Sequence, residues 1–209
     1  MGAVAIAMSD LKIEVARCQL GTATELYLRD LDPVSVHCLA NAACELMEFY
    51  ARKLSGKALL TDFAQLAPGT DIAKLKRLQR ENWNAFKHAT KLGKPDEERD
   101  DEDLLKQFTD EKNDLALVIG WSDYRRVTGK MPIEAQVQHM WYFALHPEKH
   151  DNPQLKRQGA ISFPELQSKP RADQKRLMND LIRRGRADKA TMSHPMTEQR
   201  PLVTDWPPK

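Results

Sequence analysis

The sequence predicts an all-α protein, a bundle of four or five helices followed by a basic, partly extended C-terminal segment. Three observations predict this class. Apolar residues recur at intervals of three and four through most of the first 146 residues, strand-like alternation is absent, and eight of the twelve prolines fall from Pro147 onward. Because proline interrupts helices, we expect the bundle domain to span residues 1–146 and the C-terminal segment residues 147–209.

The first helix is predicted from one apolar face and a capping residue. Ser9 is placed to cap it, and it should end before Asp32. Its apolar face is formed by Ile13, Ala16, Leu20, Ala23 and Tyr27.

The second helix is predicted between two well-defined ends. Asp32 and Pro33 suit the N-cap and the first helical position, and Gly56 suits a left-handed C-cap after a helix over residues 34–54. Small or apolar residues cover much of its circumference, so we expect it to be the central helix. A charge at Ala42 or Ala43 should therefore unfold the domain.

Three further helices follow in the bundle. We expect the third from Asp71 to Thr90, and the fourth from about Asp101 to Thr128. Between them, the charged stretch from Gly93 to Asp103 should be a solvated loop, because its seven carboxylates repel one another. Pro132 should start a fifth helix over residues 133–145.

The C-terminal segment is expected to hold one helix near residues 171–184, with the region from Pro195 to the end forming an extended strap or a disordered tail. Residues 147–209 carry 13 Lys+Arg and 8 Asp+Glu, which makes the segment basic. The predicted helix offers a basic face for RNA or an acidic protein partner, formed by Lys175, Arg176, Arg183, Arg184 and Arg186.

Composition narrows the function classes. The net charge of +2 gives no general attraction to nucleic acid or membranes, and three scattered cysteines do not form a disulfide framework. We expect a cytoplasmic protein without a membrane span. No P-loop, Gly-x-Gly-x-x-Gly, Gly-x-Ser-x-Gly or His-Glu-x-x-His motif occurs, and we expect no cofactor and no metal.

Two polar stripes are candidates for a functional seam. One follows the second helix at His37, Asn41, Glu45 and Glu48, and the other follows the third at Arg77, Glu81, Asn84 and His88. If these helices are antiparallel neighbours, the stripes could meet, or each could be the solvent face of its helix. Apolar residues on several sides of the third helix lead us to expect that His88 is at least half buried.

The segment from Asn82 to Ala89 resembles the Asn-Phe-Phe-Lys-His-Ala signature of a family of uncharacterised bacterial all-helical proteins. More distantly, the arrangement is similar to HEPN domains, four-helix bundles that often dimerise and in many cases cleave RNA with an arginine, a polar residue and a histidine on one helix. The resemblance implies roles for Asn84 and His88. Trp83 stands before Asn84, and Arg80 is the nearest upstream arginine.

Two functions follow from these patterns. We favour a non-catalytic interaction protein. The feature that would argue against it is a cleft onto which Asn84 and His88 open, with a cation nearby. The alternative is a metal-independent RNase of a toxin or defence type, in which His88 acts as general acid or base, Asn84 orients the phosphate and Arg80 or Lys87 offsets developing charge. A homodimer is expected in either case.

Overall fold

The computed structural model describes the backbone of residues 2–66 and 71–206, and the side chains of residues 11–62 and 71–206. The chain divides into two compact units, Met1–Val127 and Thr128–Lys209. Ten α-helices and one small two-stranded sheet occupy the described residues, which confirms the all-α prediction. The division falls one helix earlier in the chain than the boundary expected after residue 146.

The first unit contains the hairpin and the first six helices, apart from the last residue of α6. The helices are α1 (Gly2–Leu28), α2 (Pro33–Ser55), α3 (Leu59–Leu66), α4 (Ile72–Lys87), α5 (Glu102–Lys106) and α6 (Lys112–Thr128). Strands β1 (Thr90–Lys91) and β2 (Lys94–Glu98) form the antiparallel hairpin.

The core of the first unit lies where α1, α2 and α6 bring their apolar faces together. The predicted face of α1 is buried at Ala16, Leu20, Ala23 and Tyr27. Helix α1 begins at Gly2, however, so the expectation of a start capped by Ser9 was wrong. A short connection turns the chain back, and α2 packs along α1.

Helix α2 has the ends that the sequence predicts. The Asp32 carboxylate accepts hydrogen bonds from the backbone N–H groups of Val34 and Ser35 at 3.0 and 3.3 Å, and Gly56 closes the helix with φ at 80°. The buried face includes Ala43, whereas Phe49 is 53% exposed. The apolar coverage of α2 is therefore narrower than its composition indicates.

The third predicted helix is shorter in the structure, and the charged loop after it is partly ordered. Helix α4 ends at Lys87, and the chain then forms the β1–β2 hairpin. Gly93 supports the tight turn with φ at 73°. The expected absence of strands was wrong here because this turn lets two exposed, charged segments pair locally.

The fourth predicted helix is two helices in the structure. A turn after α5 starts a new helix, since the N–H groups of Lys112 and Asn113 bond to the carbonyls of Thr109 and Asp110. The break brings Phe108 against Phe86 of α4, with ring centroids 4.9 Å apart. Packing of this aromatic pair accounts for a break that helical periodicity alone does not indicate.

The second unit is also helical. It contains α7 (Ile133–Leu145), α8 (Pro153–Ser162), α9 (Arg171–Ala187) and α10 (Lys189–Met192), with two single 3₁₀ turns between them. Helix α7 follows Pro132 as predicted, and α9 starts at the predicted residue but runs beyond residue 184. Helices α8 and α10 were not predicted.

Residues 195–206 contain no helix, but they are attached to the second unit. The Met131 N–H bonds to the Met196 carbonyl at 3.0 Å, and the Glu198 N–H bonds to the Met131 carbonyl at 3.0 Å. Leu202 is buried, whereas Trp206 is 55% exposed. The last residues of the predicted strap, 207–209, lie outside the described residues.

Within the described part of the chain, no helix has both the length and the apolar character that crossing a membrane requires.

Candidate functional site

The polar seam between α2 and α4 centres on Glu48. Its carboxylate, with a side chain only 8% exposed, accepts a hydrogen bond from Arg80 Nη2 at 2.9 Å and pairs with Lys76. Arg52, one turn further along α2, lies 3.8 Å away. Glu48 therefore links the two helices through a partly buried ionic cluster.

The residues that meet across this seam are not those expected on α4. Arg77 is exposed and Glu81 is half-buried, whereas Lys76 and Arg80 reach Glu48. Adjacent residues on a helix point about 100° apart, so a one-residue difference in rotation exchanges one pair for the other. On α2 the stripe also divides, because Glu45 is exposed while His37, Asn41 and Glu48 are buried.

His37 lies in an aromatic enclosure at the start of α2. Its Nδ1 is 2.8 Å from the Asn113 side-chain oxygen, and its ring makes edge contacts with Phe86 and Phe108 at centroid distances of 5.8 and 5.2 Å. Burial lowers the pKa of His37, the Asn113 hydrogen bond partly opposes this, and Lys112 adds to the lowering. The imidazole therefore acts as a neutral packing and hydrogen-bonding group.

Asn41 has a local partner. Its side-chain amide donates to the His37 carbonyl one turn earlier at 3.0 Å, while its oxygen is buried with no hydrogen-bond partner among the described residues. Neither His37 nor Asn41 faces a residue of the predicted α4 stripe in these contacts.

His88 is exposed, contrary to the expectation that it would be at least half buried. Helix α4 ends one residue earlier, so His88 adopts an extended conformation, and its N–H bonds to the Asn84 carbonyl at 3.0 Å. The side chain lines an open hollow that also contains Glu98, Asp100, Asp101 and Glu102. Because His88 lies just beyond the end of α4, its side chain is placed among carboxylates.

Arg99, the basic residue that lines this hollow, is already paired with a carboxylate. Arg99 donates to Asp101 through two bonds of 2.5 and 2.8 Å, and each partner shifts the pKa of the other away from neutrality. Arg80, which the HEPN resemblance assigned to charge stabilisation, is bound to Glu48 instead. Neither Arg80 nor Asn84 lines the hollow that contains His88, and the acidic lining of the hollow disfavours a phosphate.

A second ionic cluster, between α3 and α6, was not predicted. Asp123 is fully buried, and its Oδ1 accepts a hydrogen bond from the Leu59 N–H at 2.8 Å, while Arg126 pairs with Asp62. Burial raises the pKa of Asp123 to about 6. The sequence signal was a charged pair three residues apart, Asp123 and Arg126, that follows the apolar run from Leu115 to Trp121.

Of the five basic residues predicted on α9, three pair with carboxylates, Arg184 contacts a backbone carbonyl and Lys175 is buried. Arg176 pairs with Asp173 at 2.9 Å and Arg183 with Asp180 at 2.6 Å, both within the helix. Arg186 pairs with Glu134 of α7, and Arg184 approaches the Asp180 carbonyl at 3.4 Å. Lys175 is only 5% exposed, so it does not belong to an exposed basic face as predicted.

The second unit contains a cleft that the sequence did not predict. Its lining includes Lys130, Lys189, Ser193 and His194. Lys130 lies about 60 positions before the other three residues in the sequence, and the turn after α10 brings them together.

No group of three or more His, Cys, Asp or Glu side chains is arranged to hold a metal ion within the described residues. Comparisons of the chain with protein-family models, curated proteins and solved structures find no match.

Proposed function

We propose that this chain is a non-catalytic interaction protein whose first unit presents the β1–β2 hairpin to a basic protein partner. The observation that carries the proposal is the exposure of every residue from Thr90 to Glu98. Leu92, at the turn, is 100% exposed. The hairpin therefore offers an apolar tip and two strands with open edges, features that suit recognition by another chain.

Local contacts give the hairpin a defined shape without burying it. Glu97 pairs with Lys91 at 3.1 Å and with Lys94 at 2.7 Å, and the Arg99 N–H bonds to the Ala89 carbonyl at 2.9 Å. An isolated two-stranded hairpin is marginally stable at best. These contacts and the adjoining end of α4 reduce the entropy that ordering it against a partner would cost.

The charge around the hairpin favours a basic partner. Lys91 and Lys94 are both directed to Glu97, and Arg99 is paired with Asp101. The described part of the chain shows no ion pair for Asp96, Glu98 or Asp100. These carboxylates give the hairpin base an acidic character, which would attract a basic surface and repel RNA.

Site-specific photo-crosslinking tests this proposal. A photoreactive phenylalanine analogue replaces Leu92, and in a matched control it replaces Leu54, which is 61% exposed at the end of α2. We expect one discrete crosslinked protein from position 92 in cells that express the chain, none from position 54, and loss of the product in Asp96→Asn/Glu98→Gln. A crosslink between two copies would instead assign the hairpin to a homodimer.

An RNase assay tests the alternative, that the protein cleaves RNA with His88. Purified protein is incubated with structured and single-stranded RNAs, alongside His88→Ala checked for equal helicity. Cleavage by the wild type that is lost in His88→Ala would overturn the non-catalytic proposal. We expect no cleavage, because the arginine proposed to stabilise the phosphate is bound to Glu48.

A further inference from the structure

We propose that the cleft formed by Lys130, Lys189, Ser193 and His194 binds the phosphate group of a small phosphomonoester. This site lies wholly within the second unit and is independent of the hairpin. Its volume is about 420 Å³, which is within the usual range of small-molecule sites. Its lining carries hydrogen-bond donors and no carboxylate.

The two lysines supply positive charge that no neighbouring acid neutralises. Lys130 and Lys189 are exposed, and neither has an ion-pair partner among the residues that the structure describes. Arg176, Arg183 and Arg186 in the same unit are all paired with carboxylates. The two lysines are therefore available cations, and they differ from other exposed cations of this unit in that they share one concave surface.

The acids nearest in sequence are engaged elsewhere. Asp188 caps α10, where it accepts hydrogen bonds from the Thr191 hydroxyl at 2.5 Å and from the Thr191 N–H at 3.1 Å. Glu198 is 6% exposed and pairs with Arg200 at 2.5 Å. Neither carboxylate lines the cleft, so a bound anion would not be repelled from within it.

His194 and Ser193 add neutral donors. The Met196 N–H bonds to His194 Nδ1 at 3.2 Å, which makes Nδ1 an acceptor and leaves the proton of the neutral ring on Nε2. The Ser193 hydroxyl supplies a further donor. Two ammonium groups, one ring N–H and one hydroxyl match a phosphomonoester, which carries a charge of about −1.5 to −2 at pH 7 and three acceptor oxygens.

Hydrogen bonds hold the walls of the cleft in place. Thr197 is 3% exposed, its hydroxyl bonds to the Thr191 carbonyl at 2.9 Å, and its N–H bonds to the His194 carbonyl at 2.9 Å. Gln136 of α7 donates to both the Met131 carbonyl and the Thr197 hydroxyl, at 2.9 and 3.0 Å. The donors are therefore carried by an ordered turn, which lowers the entropic cost of binding.

An NMR titration of the full chain with methyl phosphate tests the assignment at constant ionic strength. We expect saturable shifts of the Lys189, Ser193 and His194 amide signals, and much smaller shifts with acetate, which carries one charge. Lys130→Gln and Lys189→Gln should each weaken binding about tenfold, as loss of a charge-assisted hydrogen bond predicts. Lys156→Gln, at an exposed lysine of α8, is the matched control.

Two results would overturn the proposal. One is the absence of saturable shifts with the wild-type chain, and the other is equal weakening by Lys156→Gln, which would indicate diffuse attraction to surface charge. A single-stranded RNA oligonucleotide that binds through the same two lysines more tightly than methyl phosphate would also contradict a small-molecule site. Because all three lysines are exposed, the variants should keep the wild-type melting temperature.

Discussion

Arg80 of α4 donates to the Glu48 carboxylate of α2 at 2.9 Å, and this contact uses the arginine that a nuclease site would require. Lys76 supports the same carboxylate from one turn earlier. The seam is thus a structural ionic cluster. Substitutions in this cluster therefore distinguish effects on stability from effects on catalysis.

We expect Arg80→Ala to lower the free energy of unfolding by about 1–2 kcal/mol, because Glu48 remains buried and keeps only part of its positive surroundings. Urea denaturation measures the change, and a double-mutant cycle with Glu48→Gln isolates the pair. Arg77→Ala, at an exposed position on the same helix, should change stability by less than about 0.5 kcal/mol. Equal effects of the two substitutions would contradict the structural role of the pair.

Asp123→Asn should alter the pH dependence of stability. Burial raises the pKa of Asp123 to about 6, so the folded state binds more protons than the unfolded state between about pH 4 and 6. The wild type should therefore lose stability relative to Asp123→Asn as the pH rises through that window, by an amount on the order of 2 kcal/mol. Urea denaturation at several pH values measures the difference.

Asp62→Asn is the control for this prediction. Burial alone would raise the Asp62 pKa, but hydrogen bonds from Arg126 and Lys57 lower it overall. Asp62 therefore stays ionised across the same window, and its variant should keep most of the pH-dependent loss of stability that Asp123 causes. A wild-type stability that rises relative to Asp123→Asn between pH 4 and 6 would have the wrong sign.

His37 should titrate at a lower pH than an ordinary histidine. Because burial lowers its pKa in the folded state, the unfolded chain binds the proton first, and His37's contribution to stability is present above about pH 6.5 and lost as the pH falls. NMR titration of the ring signals, assigned with His37→Gln, measures this directly. Titration at or above pH 6.5 would show that the aromatic enclosure is open to water.

Gly120→Ala should destabilise the first unit by about 1–3 kcal/mol. A Cβ at this position would lie 2.5 Å from Leu20 Cδ2 and 3.3 Å from Cys44 Sγ, so the buried leucine must move. Thermal unfolding followed by circular dichroism measures the change. Combining Gly120→Ala with Leu20→Ala should give less than the sum of the single effects, whereas strict additivity would argue against the predicted clash.

Arg186→Ala should destabilise the second unit more than Arg183→Ala. Arg186 pairs with Glu134, whose side chain is 4% exposed, and its removal leaves a buried carboxylate without that partner. Arg183 pairs with the exposed Asp180 on its own helix. We expect losses of about 1–2 kcal/mol and less than about 0.5 kcal/mol, respectively, in chemical denaturation. A larger loss for Arg183→Ala would reverse the assignment.

Much of the candidate site could not be predicted from the sequence. The stripe on α2 correctly included Glu48, but its partners were displaced by one residue, from Arg77 and Glu81 to Lys76 and Arg80. The lysines at positions 130 and 189 are unremarkable in the sequence and become neighbours only in the folded unit. Contacts between distant segments carry no periodic signal that would identify them.

Local sequence was sufficient to predict the all-α class, the Asp32 and Gly56 ends of α2, and the Pro132 start of α7, because these depend on local backbone preferences and on amphipathic periodicity. The end of α4, the break in the fourth predicted helix and the pairing of charges became clear only in the folded structure. Those outcomes depend on helix rotation and packing between segments far apart in the chain, where a one-residue difference changes every partner.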